Sequence, residues 1–180
     1  THPATLPYGL KVKVTKVEQG REYFTILEGR LAGHKASVKL TNVENQGSHL
    51  ASEIVHKPPV NIVFSKSAKT LKLSDNGKEY VAFTDEGPIL ENGLYKVEIP
   101  YEKHTIYGSP YLHISKLAIT WFRIRTPGKY FFHFGTVSEG CVTIDAEKNP
   151  IGTWEEIYRE LILARDPEDS NCVGYIKITD

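Results

Sequence analysis

A cysteine and a histidine stand close together in the segment YFFHFGTVSEGCVTI, which covers residues 130–144. His133 follows an aromatic run, and Cys141 comes eight residues later, directly after a Glu-Gly pair. A thiolate attacks a carbonyl carbon, and a neighbouring imidazole can take the thiol proton and later return one to a leaving amine. This pair of residue types therefore indicates acyl chemistry, with Cys141 as the nucleophile and His133 as the general base.

The residues between them have the composition of a tight loop. Two glycines permit a sharp reversal that can bring His133 beside Cys141. Gly140 removes a side chain where a substrate approaches, and backbone N–H groups around it can face a developing oxyanion, while Ser138 can hold the loop or donate to the substrate. A plain structural role is also open, because a lone cysteine in a β-rich chain is often a small buried hydrophobe.

The segment YEKHTIYGSPYLHISK of residues 101–116 is a second candidate for contact with a substrate. Tyr107, Tyr111 and His113 carry rings that can form a lid or a wall of a cleft. An ordinary tyrosine-rich loop with partly buried rings has the same composition. Both interpretations stay open, and Tyr107 and Tyr111 are the predicted substrate contacts.

Arg123 is the candidate for binding a substrate carboxylate. In the strand ITWFRIR, alternation places Arg123 and Arg125 on one face and Phe122 and Ile124 on the other. A guanidinium there can hold a carboxylate bidentately. A solvated strand face is the commoner role for such a pair of arginines, and the alternation alone favours it.

Composition argues against several classes of protein. The 22 basic and 22 acidic residues cancel, so a broad electrostatic grip on nucleic acid or anionic lipid is not expected. No apolar run approaches the roughly 20 residues of a membrane-crossing helix. Cys141 and Cys172 make no disulfide framework, and Cys172 fits a structural role before a closing strand. No CxxC or HExxH spacing occurs, which argues against a metal site. Because a thiol and an imidazole suffice for acyl transfer, no metal or organic cofactor is expected.

Most of the chain has the period-two alternation of β-strands, which predicts a mostly β protein. Residues 1–58 predict a small β-rich module, with a polar linker at about residues 45–59 that ends in Pro-Pro. Residues 59–180 predict a larger domain, in which the turn at 75–77, Asp-Asn-Gly, is a strong hairpin signal.

One amphipathic helix is predicted at residues 153–165. Apolar residues recur there at helical spacing and form one stripe: Trp154, Ile157, Tyr158, Leu161 and Ile162. Thr153 is the predicted N-cap, and Glu156 completes a capping box.

The segment HFGTVSEGCVTI resembles the active site of YkuD-type L,D-transpeptidases, in which a histidine followed by a glycine precedes a Ser-x-Gly-Cys box. The resemblance extends over about residues 60–180 and ends in the strand VGYIKI. It implies a β-sandwich-like catalytic domain. By position, Cys141 matches the nucleophile, His133 the base, and Ser138 and Gly140 the box.

Two residues of this segment depart from the family pattern. Glu139 stands where the family usually has histidine, and Thr143 stands where arginine is common. The interval between His133 and Cys141 is also shorter than usual. Because a carboxylate beside a thiol disfavours the thiolate, Glu139 is predicted to face the substrate or to orient His133.

The resemblance implies cysteine acyl transfer on peptidoglycan stem peptides. In that family the thiol attacks a diaminopimelate carbonyl and expels D-alanine, and an amine of a neighbouring stem resolves the acyl-enzyme; with water as the acceptor, the activity is that of an L,D-carboxypeptidase. The alternatives are a non-catalytic β protein that binds cell wall or glycan, and a cysteine endopeptidase or amidase on the same polymer. The expected location is the cell envelope, periplasmic or secreted, and the absence of methionine leads us to expect a processed chain.

Overall fold

Two separate β-sheets make up most of the fold, which a computed structural model describes at residues 5–40, 47–51, 55–74, 76–85 and 87–180. The mostly β prediction is confirmed. Parts of the predicted linker, and the first residue of the predicted hairpin turn, lie outside the described residues.

The first sheet is a three-stranded antiparallel meander near the start of the chain. Its strands are β1 (Val12–Glu18), β2 (Arg21–Ile26) and β3 (Lys35–Lys39). Alternate residues of β2 point inwards, and Phe24 and Ile26 are buried there. The division of the chain into domains at residues 58 and 59 stays a prediction.

The second sheet closes on itself as a barrel-like ring of eight strands. They are β4 (Val60–Ser65), β5 (Thr70–Leu73), β6 (Glu79–Phe83), β7 (Gly93–Glu98), β8 (Phe122–Arg125), β9 (Lys129–Gly135), β10 (Val142–Asp145) and β11 (Cys172–Thr179). The order around the ring is β10-β6-β5-β4-β11-β7-β8-β9, and the pairing of β9 with β10 closes it. Two pairs, β4–β11 and β9–β10, are parallel.

Hydrophobic alternation explains which face of each strand turns inwards. In β4, Val60, Ile62 and Phe64 are at most 1% exposed, whereas Asn61 and Val63 face outwards. Burying each of these apolar side chains contributes about 1.5–3 kcal/mol. The core of the ring therefore follows directly from the period-two pattern of the sequence.

The amphipathic helix forms as α2 (Thr153–Ile162), and its apolar stripe is buried as predicted except at Tyr158, which is partly buried. Its start differs from the prediction. Gly152 is the N-cap with φ +91°, Thr153 is already the first helical residue, and no side chain caps the helix. The predicted capping box does not form, because the chain enters the helix through a left-handed conformation that suits glycine. The N–H of Glu156 instead bonds to the carbonyl of Gly152.

A short helical segment lies between β7 and β8. It consists of α1 (Thr105–Gly108) and a 3₁₀ turn (Ser109–Tyr111). Gly108 allows this segment to lie close to the chain that follows it, since a Cβ there would be 2.6 Å from the carbonyl oxygen of Ala118. Among the described residues, no helix is both long and apolar enough to cross a membrane.

Buried polar contacts around Glu28 join the small sheet to the ring. The Nε of Arg165 donates to Oε1 of Glu28 over 3.1 Å, and its Nη2 forms an ion pair with the same oxygen over 3.0 Å. Both side chains are at most 6% exposed. The N–H of Gly29 donates to the hydroxyl of Ser170 over 3.0 Å. These contacts fix the small sheet against the side of the ring that carries the end of α2.

Candidate active site

The parallel pair β9–β10 brings the predicted nucleophile and base to the same face of the ring. The register pairs Thr143 with His133, and the backbone of Phe131 interacts with the thiol of Cys141, one step before β10. Phe131 and His133 share one face of β9 because they are two residues apart. From strand geometry, the Cα atoms of His133 and Cys141 lie about 8 Å apart on a diagonal.

Both side chains line one cavity of about 620 Å³, here called the Cys141 cavity. Its floor includes Phe131, His133 and Cys141, and its wall includes Tyr107 and Tyr111 from the helical segment before β8. A cavity of this size lies in the range of ordinary small-molecule and peptide-end sites.

His133 is deeply buried in the floor of this cavity. Burial lowers its pKa to about 4, so the imidazole is neutral at pH 7. Its Nε2 lies 3.0 Å from the hydroxyl oxygen of Thr143. The ring also stacks on Trp121, with centroids 4.1 Å apart, and Trp121 stacks in turn on His104 at 4.3 Å. These neighbours fix the orientation of the imidazole.

Cys141 is 8% exposed and is a free thiol. Burial raises its pKa above the ordinary value, and the carboxylate of Glu139 raises it further, while the backbone of Phe131 offsets part of the effect. Among the described residues, no hydrogen bond joins this thiol to His133. The resting site therefore holds a neutral thiol and a neutral imidazole rather than a preformed ion pair.

The loop before Cys141 holds its backbone by two specific bonds. The hydroxyl of Ser138 donates to the carbonyl of Cys141 over 2.8 Å, and the N–H of Gly140 donates to the carbonyl of Asp85 over 2.9 Å. Neither Ser138 nor Gly140 is among the residues that line the cavity. Of the backbone N–H groups around Gly140 that were expected to face an oxyanion, that of Gly140 itself already has a backbone acceptor. An oxyanion site at the neighbouring N–H of Cys141 stays a prediction.

Gly140 is required by the conformation of this loop, and its replacement by alanine is expected to be strongly destabilising. Its φ is +82°, and a Cβ would lie 2.3 Å from the carbonyl oxygen of Pro88. Backbone strain and the clash together predict that Gly140→Ala lowers the free energy of unfolding by about 3 kcal/mol. Urea unfolding monitored by circular dichroism measures this change.

Gly87→Ala is the matched control for this substitution. Gly87 has a similar φ of +77°, but its Cβ would meet the nearest atoms only at 3.7 Å. It is expected to cost about 1 kcal/mol, from backbone strain alone. Equal losses in the two variants would contradict the role assigned to the contact with Pro88.

The predicted tyrosines lie in the wall of the cavity. The hydroxyl of Tyr111 is 2.6 Å from that of Thr136, and it accepts the N–H of Thr136 over 3.1 Å. Tyr107 lines the same cavity and is 63% exposed. His113 does not line it; its Nδ1 lies 2.9 Å from the carbonyl oxygen of Pro110. Whether Tyr107 and Tyr111 touch a substrate stays a prediction.

Arg123 does not line the Cys141 cavity. It lines an adjoining pocket of about 20 Å³ together with Glu98 and Tyr101. Three residues line both: His104, Trp121 and Phe131. Arg125 is exposed, as the alternation predicts, and forms ion pairs with Glu98 and Asp169. Phe122 and Ile124 face the core, so the assignment of strand faces is confirmed.

Sequence reasoning missed several residues that line the cavity, among them His104, Trp121 and Lys129. The sequence could have indicated Lys129, because Lys129, Phe131 and His133 are alternate residues of one strand and share a face. The stacking of Trp121 between two histidines joins residues from three separate elements, and no local pattern indicates it. Among the described residues, no group of three or more His, Cys, Asp or Glu side chains is placed to hold a metal ion.

Comparison with known proteins gives matches in structure alone. No family model matches the sequence, and no curated protein matches it. Similar solved structures include L,D-transpeptidase 1 of Mycobacterium tuberculosis, with a TM-score of 0.42 and 17% identity over 67% of this chain and 59% of that one. The chain thus spans less than two thirds of that protein.

Two further structures are similar over more of the chain. An L,D-transpeptidase from Mycobacterium tuberculosis H37Rv matches with a TM-score of 0.39 and 15% identity over 95% of this chain and 77% of that one. L,D-transpeptidase 3 of Mycobacterium tuberculosis, in complex with a faropenem-derived adduct, matches with a TM-score of 0.36 and 15% identity over 89% of this chain and 68% of that one. The chain is therefore similar in structure to L,D-transpeptidases, at low identity.

Proposed function

We propose that the protein catalyses cysteine acyl transfer on peptidoglycan stem peptides in the cell envelope. The observation that carries the proposal is the placement of Cys141 and His133 on one face of two neighbouring parallel strands, both lining one 620 Å³ cavity. The resemblance of HFGTVSEGCVTI to the L,D-transpeptidase active site supplies the substrate class. The activity is that of an L,D-transpeptidase, or of an L,D-carboxypeptidase if water is the acceptor.

The reaction begins with attack by Cys141, whose thiol proton passes to neutral His133 as the sulfur bonds to the substrate. The sulfur attacks the carbonyl carbon of the diaminopimelate residue, and a tetrahedral intermediate forms. Its collapse breaks the C–N bond, D-alanine leaves with the proton returned by His133, and an acyl-enzyme remains. An amine or a water molecule then attacks this thioester, and the thiol is released.

In the free enzyme the Cys141 thiol and the His133 imidazole are both neutral, and this determines the step at which the thiol proton moves. The lowered pKa of His133 and the raised pKa of Cys141 disfavour a thiolate–imidazolium pair before the substrate binds. Proton transfer therefore accompanies the attack itself. Catalytic hydrogen bonds are often long in the free enzyme and shorten in the substrate complex. In this proposal, the sulfur and the imidazole come into contact when the substrate binds.

A non-catalytic protein that binds cell wall or glycan is the second candidate. It is favoured by the buried thiol with its raised pKa, and by the N–H of Gly140, which is bonded to Asp85 and not directed at a substrate. In that case the cavity binds the polymer, and Cys141 serves as part of its floor. A cysteine endopeptidase or amidase on the same polymer differs only in which bond is cut.

Incubation of the protein with a muropeptide that carries a tetrapeptide stem tests the proposal. Mass spectrometry is expected to detect release of D-alanine and an adduct on Cys141 in the wild-type protein. Cys141→Ala is expected to lose both. Cys172→Ala is the matched control, because Cys172 is the other free thiol, is fully buried, and bonds to the carbonyl of Gly174.

The products separate the alternatives. Intact muropeptide with no adduct in the wild-type protein contradicts an enzymatic role and supports the binding protein. Cleavage at a bond other than that to the terminal D-alanine supports an endopeptidase or amidase.

A further inference from the structure

Two charged side chains that the catalytic steps do not use line the Cys141 cavity: Lys129 and Glu139. Both are exposed to solvent. The two histidines and the cysteine among the lining residues are neutral near pH 7, because burial lowers the pKa of His104 and His133 and raises that of Cys141. At neutral pH the cavity therefore presents one positive and one negative charge.

Neither of these charges has a partner among the described residues. Among the described residues, Lys129 and Glu139 take part in no ion pair and in no side-chain hydrogen bond, either with a third residue or with each other. Elsewhere on the ring, comparable strand-end charges are paired, as Arg125 is with Glu98 and Asp169. Two unpaired opposite charges over one concave site fit a ligand that itself carries both signs.

The two charges reach the cavity from different segments of the chain. Lys129 begins β9 on the face that also carries Phe131 and His133. Glu139 stands in the loop between β9 and β10, two residues before Cys141. Both charges therefore line the same cavity as the thiol and the imidazole.

We propose that Lys129 and Glu139 bind the two charges of a dipolar peptide end, which makes the enzyme specific for the free end of a stem. Lys129 binds the terminal carboxylate of the departing D-alanine. Glu139 binds the free ammonium of the diaminopimelate side chain. This inference rests on the proposed function and deepens it, because it selects cleavage at a chain end over cleavage within a cross-link.

Binding without turnover tests this assignment. The Cys141→Ala protein is titrated calorimetrically with a tetrapeptide stem that ends in diaminopimelate–D-alanine, and with two modified forms of it. One form carries a C-terminal amide in place of the D-alanine carboxylate, and the other carries an N-acetylated side-chain amine. Each modification is expected to weaken binding about tenfold, because it removes one charge-assisted hydrogen bond.

The same titrations in Lys129→Gln and Glu139→Gln, each in the Cys141→Ala background, assign the contacts. In Lys129→Gln the amide and the acid are expected to bind equally, while acetylation still weakens binding about tenfold. In Glu139→Gln the pattern is reversed. Both side chains are exposed and unpaired among the described residues, so these variants are expected to keep the urea midpoint of the parent.

Several outcomes would overturn the inference: equal affinity for all three peptides, no measurable binding of the unmodified peptide, or equal responses of both variants to both modifications. Its failure is distinguishable from failure of the proposed function. If the wild-type protein releases D-alanine but does not discriminate against the amide, only this inference is wrong. If Lys129→Gln and Glu139→Gln show the expected opposite responses to the two modifications but no D-alanine is released, only the proposed function is wrong.

Discussion

Replacing His133 by alanine is expected to lower the rate of D-alanine release from a tetrapeptide stem by about 10³-fold. The imidazole lines the same cavity as Cys141, and Thr143 and Trp121 hold its ring in place. Loss of a positioned general base typically costs between about 10² and 10⁴ in rate. Steady-state assays of released D-alanine measure the effect on kcat/KM.

His104→Ala is the matched control for this substitution. His104 lines the same cavity and stacks on Trp121, with ring centroids 4.3 Å apart. Unlike His133, it does not lie in the strand β9 that pairs with β10 next to Cys141. It is expected to change the rate by less than about tenfold. Equal losses of rate in the two variants would show that the stacked rings of His104, Trp121 and His133 only support the structure of the site. There would then be no reason to assign His133 as the base.

The pH profile of the wild-type reaction follows from the low pKa of His133. The base must be neutral, and its pKa is about 4, so kcat/KM is expected to stay nearly constant from about pH 5.5 to 7.5. An ordinary exposed histidine would instead give a tenfold loss per pH unit below its pKa of 6.5. A midpoint near pH 6.5 that disappears in His133→Ala would contradict the buried, neutral state assigned to this residue.

The same shift has a consequence for stability, which the pH profile must take into account. The unfolded chain protonates His133 near pH 6.5, whereas the folded chain does so only near pH 4, so the unfolded state binds more protons between these values. The full stability is present above pH 6.5. It falls by up to about 3 kcal/mol as the pH drops from 6.5 to 4, and circular dichroism at each pH separates unfolding from loss of catalysis.

Local alternation in the sequence predicts a large part of this site. It places Lys129, Phe131 and His133 on one face of β9, and it places Phe122 and Ile124 of β8 in the core. A period of two needs no information from distant parts of the chain. Residue types, spacing and strand parity together are therefore enough to predict a nucleophile and a base, and these two roles stay predictions.

The environment of these residues is not predictable in the same way. The contact between His133 and Thr143 depends on the register of β9 against β10, which the loop containing Gly140 sets through its φ of +82°. The N–H of Gly140 is bonded to Asp85, which lies more than fifty residues earlier in the chain. Such contacts shift pKa values and remove donors, so they decide how the predicted residues can act.

The contact between the small sheet and the ring is likewise invisible in the sequence. Glu28 and Arg165 are separated by 137 positions, and neither stands in a recognisable motif. Arg165 also donates to the carbonyls of Ile162 and Ala164, at the end of α2. From the sequence alone, Arg165 is an ordinary arginine near the end of a helix. In the structure, it forms the buried ion pair that joins the small sheet to the ring.

Replacing Glu28 by glutamine is expected to lower the free energy of unfolding by about 3 kcal/mol or more. Arg165 is 5% exposed at its side chain, and removal of its carboxylate partner leaves a buried charge without compensation. The backbone N–H of Lys11, which donates to the same Oε1 atom over 3.0 Å, would retain only a neutral amide acceptor. Urea unfolding at pH 7 measures the loss.

Glu102→Gln is the control that separates the effect of losing an ion pair from the effect of leaving a buried charge unpaired. Glu102 also forms an ion pair across the contact between the small sheet and the ring, with Arg30 over 3.1 Å, but both side chains of that pair are largely exposed. Its loss is expected to cost less than about 1 kcal/mol, because solvent screens an exposed pair. If Glu28→Gln were as mild as Glu102→Gln, water would have to reach Arg165 freely. The small sheet would then be a loosely attached module rather than one held to the ring through a buried charge.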